Sequence, residues 1–104
     1  MNRPLFVDAD ADAESEETAV WYGDRRVGLD LEFLAAVDRV LAEVAETPDR
    51  FSIWVAPWRR AAVRRFPYSV FFEVEPERVV VVGVAHACRR PGCWVERRGP
   101  AGGE

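Results

Sequence analysis

Residues 66–87, FPYSVFFEVEPERVVVVGVAHA, decide the fold of this chain. In residues 68–74, every second side chain is apolar: Tyr68, Val70, Phe72 and Val74 alternate with Ser69, Phe71 and Glu73. Residues 78–87 are rich in valine, and both patterns are typical of β-strands. Between them, Glu75-Pro76-Glu77 predicts a turn, because proline presets the bend and cannot donate a hydrogen bond to a strand ladder. The stretch therefore predicts a pair of antiparallel strands.

The composition of the valine-rich strand also predicts its position in the sheet. It is apolar on both faces, so we expect it inside the sheet, with helices covering one face and side chains such as Trp94 covering the other. Residues 59–66 predict a further charged strand, and residues 5–7 predict a short first strand. We therefore expect an antiparallel sheet of three or four strands.

Residues 30–46 predict the stronger of two helices that precede this sheet. Their apolar side chains recur at helical spacing on one side. Asp30 is a suitable N-cap, and Pro48 ends the helix because proline cannot continue the hydrogen-bond ladder.

Residues 8–22 predict a helix of a different kind. It begins in a run of acidic residues, which helix N-termini favour, and it carries a narrow stripe of mostly small side chains suited to close packing. The stripe consists of Ala11, Ser15, Thr18 and Tyr22. A turn over residues 23–28 joins the two helices, so the fold class is α+β, with an N-terminal helical hairpin packed on a small antiparallel sheet.

The composition sets outer limits on these expectations. The chain has 104 residues, of which 49% are apolar and 31% charged, and these values are typical of one globular domain. We expect that domain over residues 1–98 and a disordered tail over residues 99–104. The longest apolar run is far shorter than the roughly 20 residues of a membrane-spanning helix, and residues 1–12 lack a secretory signal. We therefore expect a cytoplasmic protein without membrane contact, whose two cysteines stay reduced.

Charge is divided unevenly along the chain. Residues 1–49 carry 13 acidic residues and 4 arginines, whereas residues 50–104 carry 5 acidic residues and 10 arginines. The basic half is therefore the expected anion-binding surface, although arginine suits phosphate, RNA and acidic peptides equally well. We interpret the acidic run over residues 8–17 as the solvated face of a helix.

Short segments along residues 5–98 resemble the RelE/ParE toxin superfamily in their order and spacing. They are Trp21-Tyr22, FLAAV (33–37), PDRF (48–51), RRFPY (64–68), VGVAH (82–86), RRP (89–91) and Trp94. The resemblance implies the toxin of a bacterial type II toxin–antitoxin system, which arrests growth or stabilises a plasmid. It also implies a cognate antitoxin as the chief partner, with operator DNA bound only through that antitoxin.

The two main activities of the superfamily differ at particular residues. RelE-type members resemble ribosome-dependent mRNA endonucleases, in which basic side chains and a C-terminal aromatic residue act on the scissile phosphate. In this chain Ser69 falls at one arginine position, and Trp94, which has no titratable hydroxyl, falls at the aromatic position. The pattern is closer to ParE-like members, and that resemblance implies inhibition of DNA gyrase by binding.

Two alternatives remain open. In a nuclease acting on mRNA at the ribosome, Arg65 and Arg89 are the catalytic candidates. In a degenerate, non-toxic member, the chain only binds the antitoxin, which the polar Ser15 and Thr18 of the first helix would permit.

The candidate partner-binding site combines basic and aromatic side chains of the C-terminal half. It consists of Arg60, Arg64, Arg65, Arg89, Arg90 and Trp94. Strand alternation predicts that Arg60 and Arg64 share one face, with Arg59 and Arg65 on the other. The patch is either a binding surface or a solvated face of the sheet. We expect the antitoxin to lay an amphipathic, acid-containing segment across the helices and these arginines.

We expect no cofactor and no metal site. His86, Cys88 and Cys93 lack a fourth ligand, so we interpret them as ordinary residues at the end of a strand. Trp54 and Trp58 are expected to pack onto the core from a loop over residues 52–58, and Trp21-Tyr22 to belong to the core.

Overall fold

The computed structural model describes residues 3–86, and it contains two helices and five strands within that range. In chain order the elements are β1 (Leu5–Val7), α1 (Ala9–Arg25), α2 (Leu29–Glu46), β2 (Ile53–Val55), β3 (Trp58–Ala62), β4 (Tyr68–Val74) and β5 (Val79–His86). A single 3-10 turn, Pro48–Arg50, follows α2. The tail predicted over residues 99–104 lies outside the described residues.

The strands form one mixed sheet in the order β1-β5-β4-β3-β2. The expected antiparallel sheet of three or four strands is wrong in two respects. First, β1 pairs parallel to β5, from Leu5↔Val79 to Val7↔Val81. Parallel strands need a long crossover connection. Here the chain leaves β1 through the helical hairpin and reaches β5 only after β2, β3 and β4. Second, the expected loop over residues 52–58 contains β2, whose three residues are too few to show an alternating pattern.

In the helical hairpin, α2 begins after a glycine rather than after a residue whose polar side chain caps the helix. Gly28 is the N-cap of α2 and has a φ of 88°, in the left-handed region that favours glycine. The expected N-cap Asp30 is instead the second residue of the helix, within its first turn. The first helix runs past Tyr22 to Arg25. It can do so because Gly23 passes close to α2, where an added Cβ would stand 3.1 Å from the Cβ of Asp30.

The main core lies between the hairpin and one face of the sheet. Phe33, Val37 and Val44 of α2 are buried there against Val70 and Phe72 of β4 and the valines of β5. An aromatic cluster closes the end of this core near the helical turn. Its rings are Tyr22, Phe33, Phe66 and Tyr68, with centroids 5.0–6.2 Å apart.

The other face of the sheet, here called the outer face, is also apolar. Phe71 and Val82 are buried on it, and Trp54 and Trp58 pack against them, with the Trp54 and Phe71 ring centroids 4.8 Å apart. The packing expected of both tryptophans is confirmed, although Trp54 lies on β2 and Trp58 on β3. Trp94, expected on this face, lies outside the described residues.

A β-bulge in β5 is tied to the first helix. Phe71 pairs with Gly83 and Phe72 with Val81, so Val82 is an extra residue on β5. Beyond it, the backbone N–H of the buried Val84 donates to Oε1 of Glu14 over 2.9 Å. Because β1 pairs with β5 only as far as Val81, a carboxylate of α1 supplies the acceptor that a neighbouring strand would otherwise provide.

We predict that Glu14→Ala lowers the free energy of unfolding by about 1.5–3 kcal/mol, the range for hydrogen bonds to charged groups. Urea denaturation measures this change. Glu14→Gln keeps an acceptor oxygen and should lose less. Glu17→Ala, exposed on the same helix, is the control and should shift stability by no more than about 0.5 kcal/mol. Equal losses for Glu14→Ala and Glu17→Ala would show that the bond does not matter.

A second prediction concerns alkaline pH. Burial raises the pKa of Tyr22 above its ordinary value of 10.0, and the nearby Tyr68 raises it further. The folded state therefore holds the Tyr22 proton more tightly than the unfolded state, and this stability is fully present below pH 10.0 and lost as the pH rises through the folded pKa. In urea denaturation above pH 10.0, Tyr22→Phe should lose less stability per pH unit than the native chain; parallel losses would contradict the assignment.

Candidate functional site

The arginines of the β3–β4 connection form a charged tip on the sheet. The strand β3 ends at Ala62, so the expected alternation of Arg60, Arg64 and Arg65 along one strand is wrong. Residues 63–67 form a tight turn instead, in which the N–H of Val63 donates to the carbonyl of Tyr68 over 2.9 Å.

Local chemistry explains why the strand stops there. Phe66 turns inward to the aromatic cluster, and its N–H donates to the carbonyl of Val63 over 3.2 Å. Pro67 has no N–H to offer a strand ladder. Arg65 adopts φ of 71°, in the left-handed region. These constraints leave the side chains of Arg64 and Arg65 exposed at the tip.

Arg60 lies on the same hairpin but on the outer face. It is exposed and stands directly across from Phe71, the buried centre of that face. Within residues 3–86, no carboxylate lies within ion-pair distance of Arg60, Arg64 or Arg65. We call these three residues the basic hairpin. It offers three guanidinium groups, each with several unused donors, to an anionic partner.

The side chain of Arg59, by contrast, is engaged in contacts within the fold. Its Nη1 donates to the carbonyl of Phe51 over 2.6 Å, its Nη2 lies 4.0 Å from Asp49, and its side chain is 22% exposed. It therefore fixes the segment after α2 onto β3 and contributes little to the surface. Strand alternation predicted that Arg59 and Arg60 lie on opposite faces, but it did not predict the contacts of Arg59 with the segment after α2.

The remaining predicted site residues divide into two groups. Arg89, Arg90 and Trp94 lie outside the described residues, as do Cys88 and Cys93 of the rejected metal cluster. Ser69, at the position of a nuclease arginine in the resemblance, is 6% exposed on β4 and pairs with Ala62 on one side and Ala85 on the other. His86 is exposed at the end of β5, opposite Tyr68.

The sequence also missed an apolar surface at the turn of the helical hairpin. Trp21 is 48% exposed, so the expectation that it belongs to the core is wrong; only its neighbour Tyr22 packs inside. The Arg25 guanidinium carbon lies 3.5 Å from the centroid of the Trp21 ring, a cation–π contact one helical turn away. Val27 and Leu31, 94% and 68% exposed, extend the apolar surface. The i to i+4 spacing of Trp21 and Arg25 is the signal that could have revealed the first contact.

No helix within residues 3–86 is both long enough and apolar enough to cross a membrane. No protein-family model matches the sequence, and no curated protein matches it either. Solved structures do match. One of them, described as the chromosomal ParDE TA system from P. aeruginosa, contains a chain that superposes with a TM-score of 0.63 at 16% sequence identity. The match covers 83% of this chain and 97% of that one.

At 16% identity this match bears on the fold. It spans nearly all of the other chain, and it agrees with the order of helical hairpin and sheet that the short sequence segments implied. The chain is therefore RelE/ParE-like in fold.

Proposed function

We propose that this chain is the toxin of a type II toxin–antitoxin system, held inactive by a cognate antitoxin in the cytoplasm. The observation that carries the proposal is the match over 97% of a chain from a ParDE system. The segments of the RelE/ParE resemblance support it, since RRFPY builds the tip of the basic hairpin and the turn into β4, and VGVAH builds the end of β5.

We further propose that the toxin acts by binding its target, as in gyrase inhibition, rather than by cutting RNA. Ser69 is buried between two alanines, so its position presents no cation to a phosphate. On the described part of the outer face, half-buried Trp54 and Trp58 pack over buried Phe71 and Val82, and exposed Arg60 lies beside them. Half-buried tryptophans beside an arginine are typical of protein-binding surfaces, whereas stabilising a charged transition state needs several cations at set positions.

A ribosome-dependent nuclease is the alternative, and one observation favours it. Arg65 is exposed and has no ion-pair partner among residues 3–86, so it is accessible to RNA. That reading needs Arg89 to complete the catalytic pair. A member that only binds the antitoxin is the third reading, and the polar Ser15 and Thr18 of α1 are compatible with it.

The basic hairpin is the proposed contact for an acidic segment of the antitoxin. Exposed guanidinium groups without internal partners bind carboxylates through charge-assisted, often bidentate hydrogen bonds. The antitoxin's own DNA-binding part would carry the complex to its operator. Arg89, Arg90 and Trp94 remain proposed members of the same surface.

The first test replaces both tip arginines. Arg64→Ala with Arg65→Ala should weaken antitoxin binding at least about a hundredfold, since each arginine loses a charge-assisted hydrogen bond of about 1.5–3 kcal/mol and about 1.4 kcal/mol is a factor of ten. Isothermal titration at low salt measures the affinity. Arg78→Ala removes an exposed arginine at the turn between β4 and β5, outside the basic hairpin and away from the helices, and is the matched control. If the double variant and the control bind equally well, the basic hairpin is not the antitoxin contact.

The second test separates the three readings in the cell. On induction of the chain without its antitoxin, pulse-labelling should show DNA synthesis falling before protein synthesis, because a gyrase-type toxin blocks replication first. Co-induced antitoxin is the control and should restore both rates. An early fall in protein synthesis with cut messages would favour the nuclease, with Arg65 and Arg89 as catalytic candidates. Unchanged rates would favour a non-toxic antitoxin-binding member.

A further inference from the structure

A cavity of about 280 Å³ opens between the two helices at the end of the hairpin away from its turn. At the turn end, the rings of Tyr22 and Phe33 fill the space between α1 and α2. At the other end, the buried residues that α1 places on the cavity are Ala11 and Ser15, whose small side chains leave a gap to Leu34 and Val37. The small side chains that predict close packing leave an opening instead.

The cavity contains a buried polar atom that the fold does not use. Ser15 lines the cavity and is 8% exposed, and its hydroxyl has no hydrogen-bond partner among residues 3–86. Serine within a helix commonly bonds to the carbonyl four residues earlier, but Ser15 makes no such bond. Buried hydroxyls without partners cost free energy and are rare in folded proteins. The cavity therefore offers a ligand a buried hydroxyl that has no partner within residues 3–86.

The edge of the cavity is negatively charged. Asp12, Glu16 and Asp38 line it, each is exposed, and none forms an ion pair with any cation of residues 3–86. The walls, by contrast, are apolar and include Leu34 and Val37. Such a site favours a ligand with an apolar stem and a cationic head.

Size restricts the ligand further. Pockets for drug-sized ligands and cofactors hold about 300–1,000 Å³, so a cavity of about 280 Å³ suits one long side chain better than a nucleotide. Arginine has a methylene stem that packs on apolar walls and five N–H donors in a rigid fork. One guanidinium can therefore donate to the Ser15 hydroxyl and to an edge carboxylate together.

We propose that this cavity, here called the arginine pocket, binds an arginine side chain from a partner protein. The stem lies against Leu34 and Val37, and the guanidinium donates to Ser15 and to the carboxylates at the edge. The inference does not rest on the proposed toxin function, because it requires only a partner segment that presents an arginine to the helical hairpin. It places a basic segment over the helices, where the sequence predicted an acid-containing one.

The test uses the full chain labelled with ¹⁵N and blocked single amino acids as probes. N-acetyl-arginine amide should shift the backbone resonances of Asp12, Ser15, Val37 and Asp38 at low ionic strength. N-acetyl-citrulline amide has nearly the same shape without the charge and should bind about tenfold more weakly, since charged hydrogen bonds are roughly twice as strong as neutral ones. N-acetyl-glutamate amide should cause no shift at these positions.

Single variants distinguish binding of the arginine probe in the pocket from its general attraction to the acidic surface. Asp38→Asn and Asp12→Asn should each weaken N-acetyl-arginine amide binding several-fold. Asp24→Asn is the matched control, since Asp24 is an exposed acid of α1 that does not line the pocket. Ser15→Ala should weaken binding while leaving the melting temperature unchanged or higher, because the lost hydroxyl has no partner in the unbound chain.

Three results would overturn the proposal. Equal binding of the arginine and citrulline probes would show that charge has no part in the site. Shifts spread evenly over the acidic face, or an equal effect of Asp24→Asn, would show that the arginine probe binds only by general attraction. Absence of any shift at millimolar probe would show that the cavity is not a site. Each of these outcomes is independent of whether the chain is toxic.

Discussion

The structure depends on covering β5 on both faces. This strand is valine at five of its eight positions, and Val79, Val81, Val82 and Val84 are all buried. The helical hairpin covers one face, and the tryptophans packed around Phe71 lie over the other. On its edges, β5 pairs antiparallel with β4 and parallel with β1, and a parallel pair needs a long crossover, which here includes the helices. The position of the hairpin follows from that requirement.

The sequence predicted those parts of the fold that depend on local patterns. The bounds of β4 were predicted as they occur, since alternation and the flanking prolines specify a strand within a few residues. The helices and the turn between them were predicted, but the exact start of α2 was not, because it depends on the left-handed backbone that Gly28 adopts rather than on a capping side chain at Asp30. The parallel pairing of β1 and the three-residue β2 depend on contacts distant in sequence, and no local pattern reports them.

The functional residues show the same division. Arginine composition pointed to the basic half of the chain, and strand alternation placed Arg59 and Arg60 on opposite faces. That Arg59 holds the segment after α2 while Arg60 stays exposed depends on how that segment folds back onto β3, which no local pattern reports. The turn after β3 converts Arg64 and Arg65 from expected strand residues into a tip. Ser15 was visible in the sequence as a small polar residue on α1. Its unpartnered hydroxyl could not be predicted, because the cavity depends on how far α1 and α2 stand apart where Ser15 lies.

The two candidate surfaces have opposite charge, and this constrains any protein that covers both. The basic hairpin attracts carboxylates, whereas the edge of the arginine pocket attracts cations. A single partner must therefore separate its charges along its length, with a basic segment over the helices and an acidic segment over the β3–β4 tip. A partner with the reverse order would place like charges together at both ends. The repulsion would weaken binding of the right partner in the wrong orientation, and binding of a protein with a different charge order. The acidic first half of the sequence thus builds the negative pocket edge on the helices, and the basic second half builds the positive β3–β4 tip. Together they set the direction in which a partner can lie on the folded chain.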